Sequence, residues 1–459
     1  MIVVGSMIGS GIFIVSADIA RSVGSAGWLI LVWILTGVLT LTAALSYGEL
    51  SGMYPRAGGQ YVYLKEAFNP LVGFLYGWSF FAVIQAGSIA AVGVAFAKFT
   101  AFIFPVLGEK HIILDMGVTI SAAQVTAILL IVLLTWINSR GIKEGKWIQT
   151  TFTMTKIIAL AGLVIFGFLL ASRHDVAMAN WGSGFALGKL DAGRILPYTG
   201  VAAFGAIAGS MVGSLFSSDS WNNVTFIAGE IKRPERNIGL SLFLGTLIVT
   251  VIYVATNLMY INVMPMESIA AAENDRVGVA ASQLIFGNGG TLVIAVLLMI
   301  STFGCNNGLI LSGARVYYTM ARDGVFFKAA GVLNERAVPG KALWMQCLWS
   351  SILCLSGQYG ELLNYVIFVV LIFYILTIIG IFRLRKSKPY LPRPYKAFGY
   401  PVLPMVYIVL AGCICLLLLI YKPAYTWPGL GIVLLGIPLY YYLRRERTTS
   451  TPHPRYDID

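Results

Sequence analysis

Charge is what this sequence has least of. Asp, Glu, Lys and Arg make up 11% of its 459 residues, against 58% hydrophobic. A soluble globular domain carries roughly 25% charged residues, so a water-soluble fold of this size is left without its polar coat, and a bilayer removes the need for one. Cysteine is also scarce: Cys305, Cys347, Cys354, Cys413 and Cys415 all fall in apolar stretches, and their spacing gives neither a disulfide framework nor a zinc site. The three histidines, His111, His174 and His453, form no cluster. No HExxH, no GxSxG with partners and no phosphate loop with its lysine is present. Those absences argue against an enzyme or an ATP-driven pump, and no metal or cofactor is expected.

What is there is apolar length. Crossing the hydrocarbon takes about 20 mostly apolar residues, and such runs occupy residues 2–19, 28–53, 71–97, 122–137, 147–170, 201–228, 240–263, 291–317, 342–355, 362–384, 402–421 and 427–443. They predict about 12 transmembrane helices and no soluble domain. The net charge of +12 reads as topology rather than as a nucleic-acid footprint, because Lys and Arg concentrate in alternate loops. The positive-inside rule then places both termini in the cytoplasm of a multi-pass plasma-membrane protein, with membrane lipid headgroups as further partners. Only residues 1–4 precede Gly5, about 6 Å of helix at 1.5 Å per residue. Half a bilayer is roughly 15 Å, so the natural chain is expected to start upstream, with a basic flank.

Two of the twelve runs are interrupted by polar and small residues. The first contains Gly5-Ser6-Met7-Ile8-Gly9-Ser10-Gly11, and the sixth contains Gly213-Ser214-Leu215-Phe216-Ser217-Ser218-Asp219-Ser220. Glycine and serine are poor helix formers, and serine and aspartate side chains satisfy a freed backbone. Unwound backbone at membrane depth survives only where protein or a water-filled cavity covers it. The breaks fall in spans one and six, matching positions if the first ten spans are two five-helix repeats. Paired broken helices in matching positions are the best sequence pointer to a transporter's binding site. Flexible packing kinks are the plainer alternative.

The same residues resemble a known family. Val4-Gly5-Ser6-Met7-Ile8-Gly9-Ser10-Gly11-Ile12-Phe13 is similar to the first-helix signature of the amino acid–polyamine–organocation (APC) superfamily, and within it to the bacterial relatives of the L-type amino acid transporters. Tyr47-Gly48-Glu49-Leu50, the stretch from Pro55 to Tyr63, Leu215 to Asn223, Gly229 to Asn237, Asn307-Gly308 and Ala321-Arg322-Asp323-Gly324 resemble further family segments in the same order. The resemblance covers nearly the whole chain. It implies an all-α, LeuT-like fold of two inverted five-helix repeats plus two additional helices. The transport core is then residues 1–400, with repeats at about 1–172 and 197–385, and helices eleven and twelve with the tail fill 401–459. It also implies a permease that moves L-amino acids by alternating access, as a proton-linked symporter or as an exchanger. Ser16, Ser217, Ser218 and Ser220 depart from the residues common at those places in the family.

An α-amino acid carries a carboxylate and an ammonium, and a buried unpaired charge is prohibitive. A broken helix answers both without formal charge. N–H groups opening its second half bind the anion, and carbonyls ending its first half bind the cation. On that reasoning Gly9, Ser10 and Gly11 take the carboxylate, while the carbonyl of Met7 and those near Phe216, Ser217 and Asp219 take the ammonium. Phe216 either packs the bundle or, as the resemblance implies, closes over substrate as an aromatic lid.

Lys156 lies nine residues into the run starting at 147, roughly 13 Å deep, where a lysine is costly and defaults to a function. Snorkelling to the interface is the alternative. In the family a fifth-helix lysine reaches the broken first helix, so Lys156 is expected to hold carbonyls such as that of Gly5, or to carry a coupling proton. Asp219 has three readings: a helix cap, a partner for a cationic side chain or polyamine, or a proton site. Glu230, Arg236 and Arg322 are gate candidates at the cytoplasmic ends, and Phe216 is a fourth. A channel would more often show rings of a repeated pore segment. A non-transporting amino acid sensor is the rival from another class, and a partner subunit is left open.

Overall fold

The computed structural model describes residues 1–115, 119–191, 193–356 and 359–448, with backbone alone at 115, 119, 142–149, 230, 356, 359 and 444–448. Helices follow the apolar runs and stop where the sequence concentrates glycine and serine. The first run is two short helices, α1 (Ile2–Met7) and α2 (Gly11–Val23), followed by α3 (Ala26–Met53). A short α4 (Gln60–Ala67) precedes α5 (Pro70–Ser79) and α6 (Gln85–Ile103). These last two are one span joined by a single π-helical turn, Phe80–Ile84, a bulge that recurs at functional sites. Then come α7 (Ala122–Ser139), α8 (Ile142–Leu170) and a short α9 (His174–Gly182).

The sixth run is also split, into α10 (Ala202–Ser217) and a single turn, α11 (Asn223–Phe226). After α12 (Pro234–Val263) and α13 (Met266–Ala270) runs α14 (Val277–Arg322). It is 46 residues long and is interrupted at Gly287, whose φ of 68° no straight helix accommodates. The eighth span therefore starts after that break, close to the expected residue 291, and the helix before it is an extra element that buries Val277, Val279, Ala281 and Ile285. The last four are α15 (Gly340–Ser356), α16 (Tyr359–Ser387), α17 (Val402–Tyr421) and α18 (Pro423–Thr448).

Among the described residues, nine helices are long and apolar enough to cross a membrane. The other three expected spans are shorter for identifiable reasons: the first and sixth are broken, and α15 has 17 residues. Two features departed from the all-helical expectation. Small antiparallel hairpins, β1 (Ile112–Asp115) with β2 (Thr119–Ser121) and β3 (Gly188–Asp191) with β4 (Arg194–Pro197), sit in the connections after α6 and α9. The second hairpin meets the end of α2, where Tyr198 donates a hydrogen bond to the Ser22 carbonyl.

Packing puts both breaks at the centre. The two halves of the first span lie against α8, α12 and α14, and α10 crosses α2, α3, α16 and α17. Gly213 lets α10 approach α2, since a Cβ there would lie 2.3 Å from Val15. Lipid-facing side chains remain on the outer helices, with Leu169, Val251, Leu348, Leu416 and Ile420 all more than half exposed.

Candidate functional site

Between α1 and α2 the backbone leaves the helix for three residues. Ile8 is extended (φ −72°, ψ 95°), and α2 begins again at Gly11. The first N–H groups of α2 have no helical carbonyl ahead of them, and the last carbonyls of α1 have no N–H behind. Side chains from three other helices meet those carbonyls. The Lys156 ammonium, on α8 and 1% exposed, donates to Gly5 O at 2.5 Å and Ile8 O at 2.6 Å. Cys305 on α14 donates its thiol proton to Ser6 O at 3.3 Å.

The Met7 carbonyl accepts from Tyr253 Oη on α12 at 2.9 Å, and the same hydroxyl lies 3.0 Å from the Ser217 carbonyl. It has one proton to give, so it stands between the ends of α1 and α10 and can serve either. An edge-on contact with Trp33, ring centroids 5.3 Å apart, holds the Tyr253 ring.

The second break runs from Ser218 to Asn222. Ser220 has φ 65°, the left-handed region where a non-glycine residue is uncommon. The two breaks touch at Gly11. A Cβ on it would come within 1.8 Å of Ser217 Oγ and 2.5 Å of Ser217 Cβ, so only a hydrogen fits at this crossing. Gly11 is therefore a packing residue as well as a candidate anion-binding one.

A small, narrow cavity lies at this junction. It is lined by Met7, Gly9, Ser10, Gly11, Phe216 and Ser217, with Ser88 and Val92 of α6 and Cys305 and Leu309 of α14 on the far wall. Six of the seven expected substrate-binding residues are thus brought together. The seventh, Asp219, lines a separate small cavity with Gln60, Gln85, Asn222, Asn223 and Tyr374. Its Oδ1 accepts a 2.5 Å hydrogen bond from Tyr374 Oη of α16. Ser220 borders both cavities, so the aspartate stands one residue behind the site.

The gate candidates fare differently. Arg236 and Arg322 are exposed and form no ion pair among the described residues, and the side chain of Glu230 lies outside them. Carboxylates at that end pair elsewhere. Glu49 is fully buried and accepts from Arg385 at 2.9 and 2.6 Å and from the Ala397 N–H at 2.8 Å. Lys388 pairs with Glu66 at 2.6 Å, and Lys65 with Asp323 at 2.6 Å.

Tyr253, Cys305 and Tyr374 are the site residues that sequence reasoning missed. Tyr253 and Tyr374 sit in apolar runs and differ from their neighbours only by a polar tip, while Cys305 stands beside Asn306 and Asn307, a polar pair in the eighth run that could have drawn attention to it. A search for polar-tipped residues facing the two breaks would have needed the packing first.

Comparison with known proteins identifies the family. A family model described as "Amino acid permease" matches residues 1–440. The rabbit (Oryctolagus cuniculus) large neutral amino acids transporter small subunit 2 is 30% identical over 442 residues, covering 96% of this chain and 78% of that protein. The mouse (Mus musculus) Asc-type amino acid transporter 1 is 28% identical, covering 96% and 79%. The human (Homo sapiens) b(0,+)-type amino acid transporter 1 is 27% identical over 449 residues, covering 96% and 85%. With broken helices at both matching positions and a family match along nearly its whole length, this chain belongs to the amino acid permease family of the APC superfamily.

Proposed function

We propose that this permease binds its amino acid in the cavity between the two breaks and carries it across the membrane by alternating access. The substrate carboxylate rests on the N–H groups of Gly9, Ser10 and Gly11, and the ammonium on the carbonyls of Met7 and Ser217. One observation carries the assignment. The cavity walls are the ends of two half-helices, and no side chain of formal charge lines it. A zwitterion placed there meets helix-end dipoles of both signs. A carbonyl has two lone pairs, so Tyr253 and an ammonium can share Met7 O.

The side chain then points at Phe216, Val92 and Leu309, which suits an apolar amino acid. A second reading has support of its own: past Ser220 the polar cavity opens onto the Asp219 carboxylate, which a cationic side chain or a polyamine would reach. An uptake-competition screen with neutral and basic amino acids in proteoliposomes, at two pH values and with or without internal substrate, tests this reading. It separates apolar from cationic substrates and proton-linked uptake from exchange. A sensor would bind and show no uptake.

The LeuT-like pairing of residues 1–172 with 197–385 as inverted repeats is supported by the matching breaks. Cytoplasmic termini are supported by the Lys and Arg distribution, and accessibility of an N-terminal tag in sealed vesicles tests them. A partner subunit is supported by the words "small subunit" in the name of one relative; the mass of the complex extracted from native membranes tests it.

A further inference from the structure

We infer that the end of α7 forms a binding site for the phosphate of an anionic phospholipid, made by Arg140 and Arg336 above Trp136. Arg140 closes α7 as its C-terminal cap. Its guanidinium lies over the Trp136 ring, 3.8 Å from the centroid, and makes no hydrogen bond or ion pair to any other described residue. Arg336, in the loop before α15, donates one hydrogen bond, to the Arg140 carbonyl, and pairs with no carboxylate among the described residues. A guanidinium has five donors, so most of the donors on this pair meet no acceptor among the described residues.

The pair is placed by structure rather than left on a loose loop. Asn334 accepts from the N–H groups of Arg336 and Val338, both at 3.0 Å, and its amide donates to the Ser139 carbonyl at 2.9 Å. The loop is thereby fastened onto the end of α7, and the two arginines are held together.

Their level in the membrane follows from the neighbours. Leu129, Leu133 and Trp136 make an exposed stripe on α7, and Trp344, Leu348 and Ile352 make another on α15, which packs beside it. Trp136 and Trp344 stand near the same end of the two helices, as tryptophans do at the boundary between hydrocarbon and headgroups. Arg140 sits one turn beyond Trp136, at phosphate level. Two guanidinium groups with open donors select an anion with several acceptor oxygens, and the apolar stripes below suit acyl chains. A phospholipid with a net negative charge meets both conditions; a zwitterionic one brings its own cation to the same place.

Native mass spectrometry of the purified full-length protein tests this, with phosphatidylglycerol and phosphatidylcholine offered together in mixed micelles. Wild type is expected to retain phosphatidylglycerol preferentially. Arg140→Ala/Arg336→Ala is expected to lose that preference by roughly tenfold or more, since each basic residue near a charged surface contributes substantially. Lys386→Ala/Lys396→Ala, which removes the same charge elsewhere, should retain lipid as wild type does. If the first double variant does not fold, Arg140→Gln and Arg336→Gln must each still reduce retention. Equal retention in wild type and the arginine variants overturns the proposal. So does equal loss in the lysine variant, which would mean a diffuse field, or displacement of the lipid by inorganic phosphate, which would mean a soluble-anion site.

Discussion

The ammonium of Lys156 stands 2.5 Å from the carbonyl oxygen of Gly5, where α1 is about to end. A second bond, to Ile8 at 2.6 Å, reaches past the end of that helix. One side chain thus holds both a helical and a freed carbonyl. Lys156→Met removes the donor and leaves two buried acceptors, at about 1–3 kcal/mol each. Flux in proteoliposomes is expected to fall at least tenfold while the protein still elutes as a folded species. Unchanged flux would mean that Lys156 serves no purpose at the break.

Tyr253→Phe separates the two half-helices. The ring and its Trp33 contact survive, so stability should change little. Without the hydroxyl, the carbonyls of Met7 and Ser217 lose their shared donor. An apparent affinity weaker by roughly 5- to 150-fold is expected, equivalent to about 1–3 kcal/mol. Equilibrium binding of radiolabelled substrate to purified protein measures it, and wild-type affinity would remove Tyr253 from the site.

Gly11→Ala puts a methyl 1.8 Å from Ser217 Oγ. The α2–α10 crossing must open, and a lower melting temperature with loss of binding is expected, on the scale of an overpacked core, about 1–3 kcal/mol. Ser217→Gly removes the obstructing Cβ and Oγ, so the double variant should recover much of the loss. Additive effects of the two changes would show that this contact does not set the distance between the breaks.

Asp219→Asn keeps the shape and an acceptor for Tyr374 while removing the charge. Neutral substrates should compete as before. Arginine, lysine and polyamines should compete less, if they compete in the wild type at all. Failure of every basic substrate in the wild type would leave Asp219 a structural partner of Tyr374.

The breaks were legible in the sequence because their cause is local. Glycine and serine packed into seven residues around Met7 cannot continue a helix cheaply, whatever surrounds them. The depth of Lys156 was legible too, since position along a helix gives distance. What sits across the bundle was not. Tyr253 meets Met7 from 246 residues away, and Glu49 meets Arg385 from 336. No spacing rule links such positions, and nothing local shows that Glu49 is fully buried. Asp219 lay within the right segment, but a broken backbone does not declare which way each side chain turns. The glycine of the crossing, Gly11, looked like an anion-binding residue alone because its neighbour Ser217 belongs to another span.

The central claim is that main-chain groups at the two breaks read both ends of an α-amino acid. Competition against uptake of a radiolabelled amino acid in proteoliposomes tests it most directly. The competitors are the unmodified amino acid, its methyl ester and its N-acetyl derivative. The ester lacks the anion for Gly9, Ser10 and Gly11, and the acetyl form lacks the cation for Met7 and Ser217. Only the unmodified compound is expected to compete; inhibition by the ester or the acetyl form at equal concentration would contradict the account.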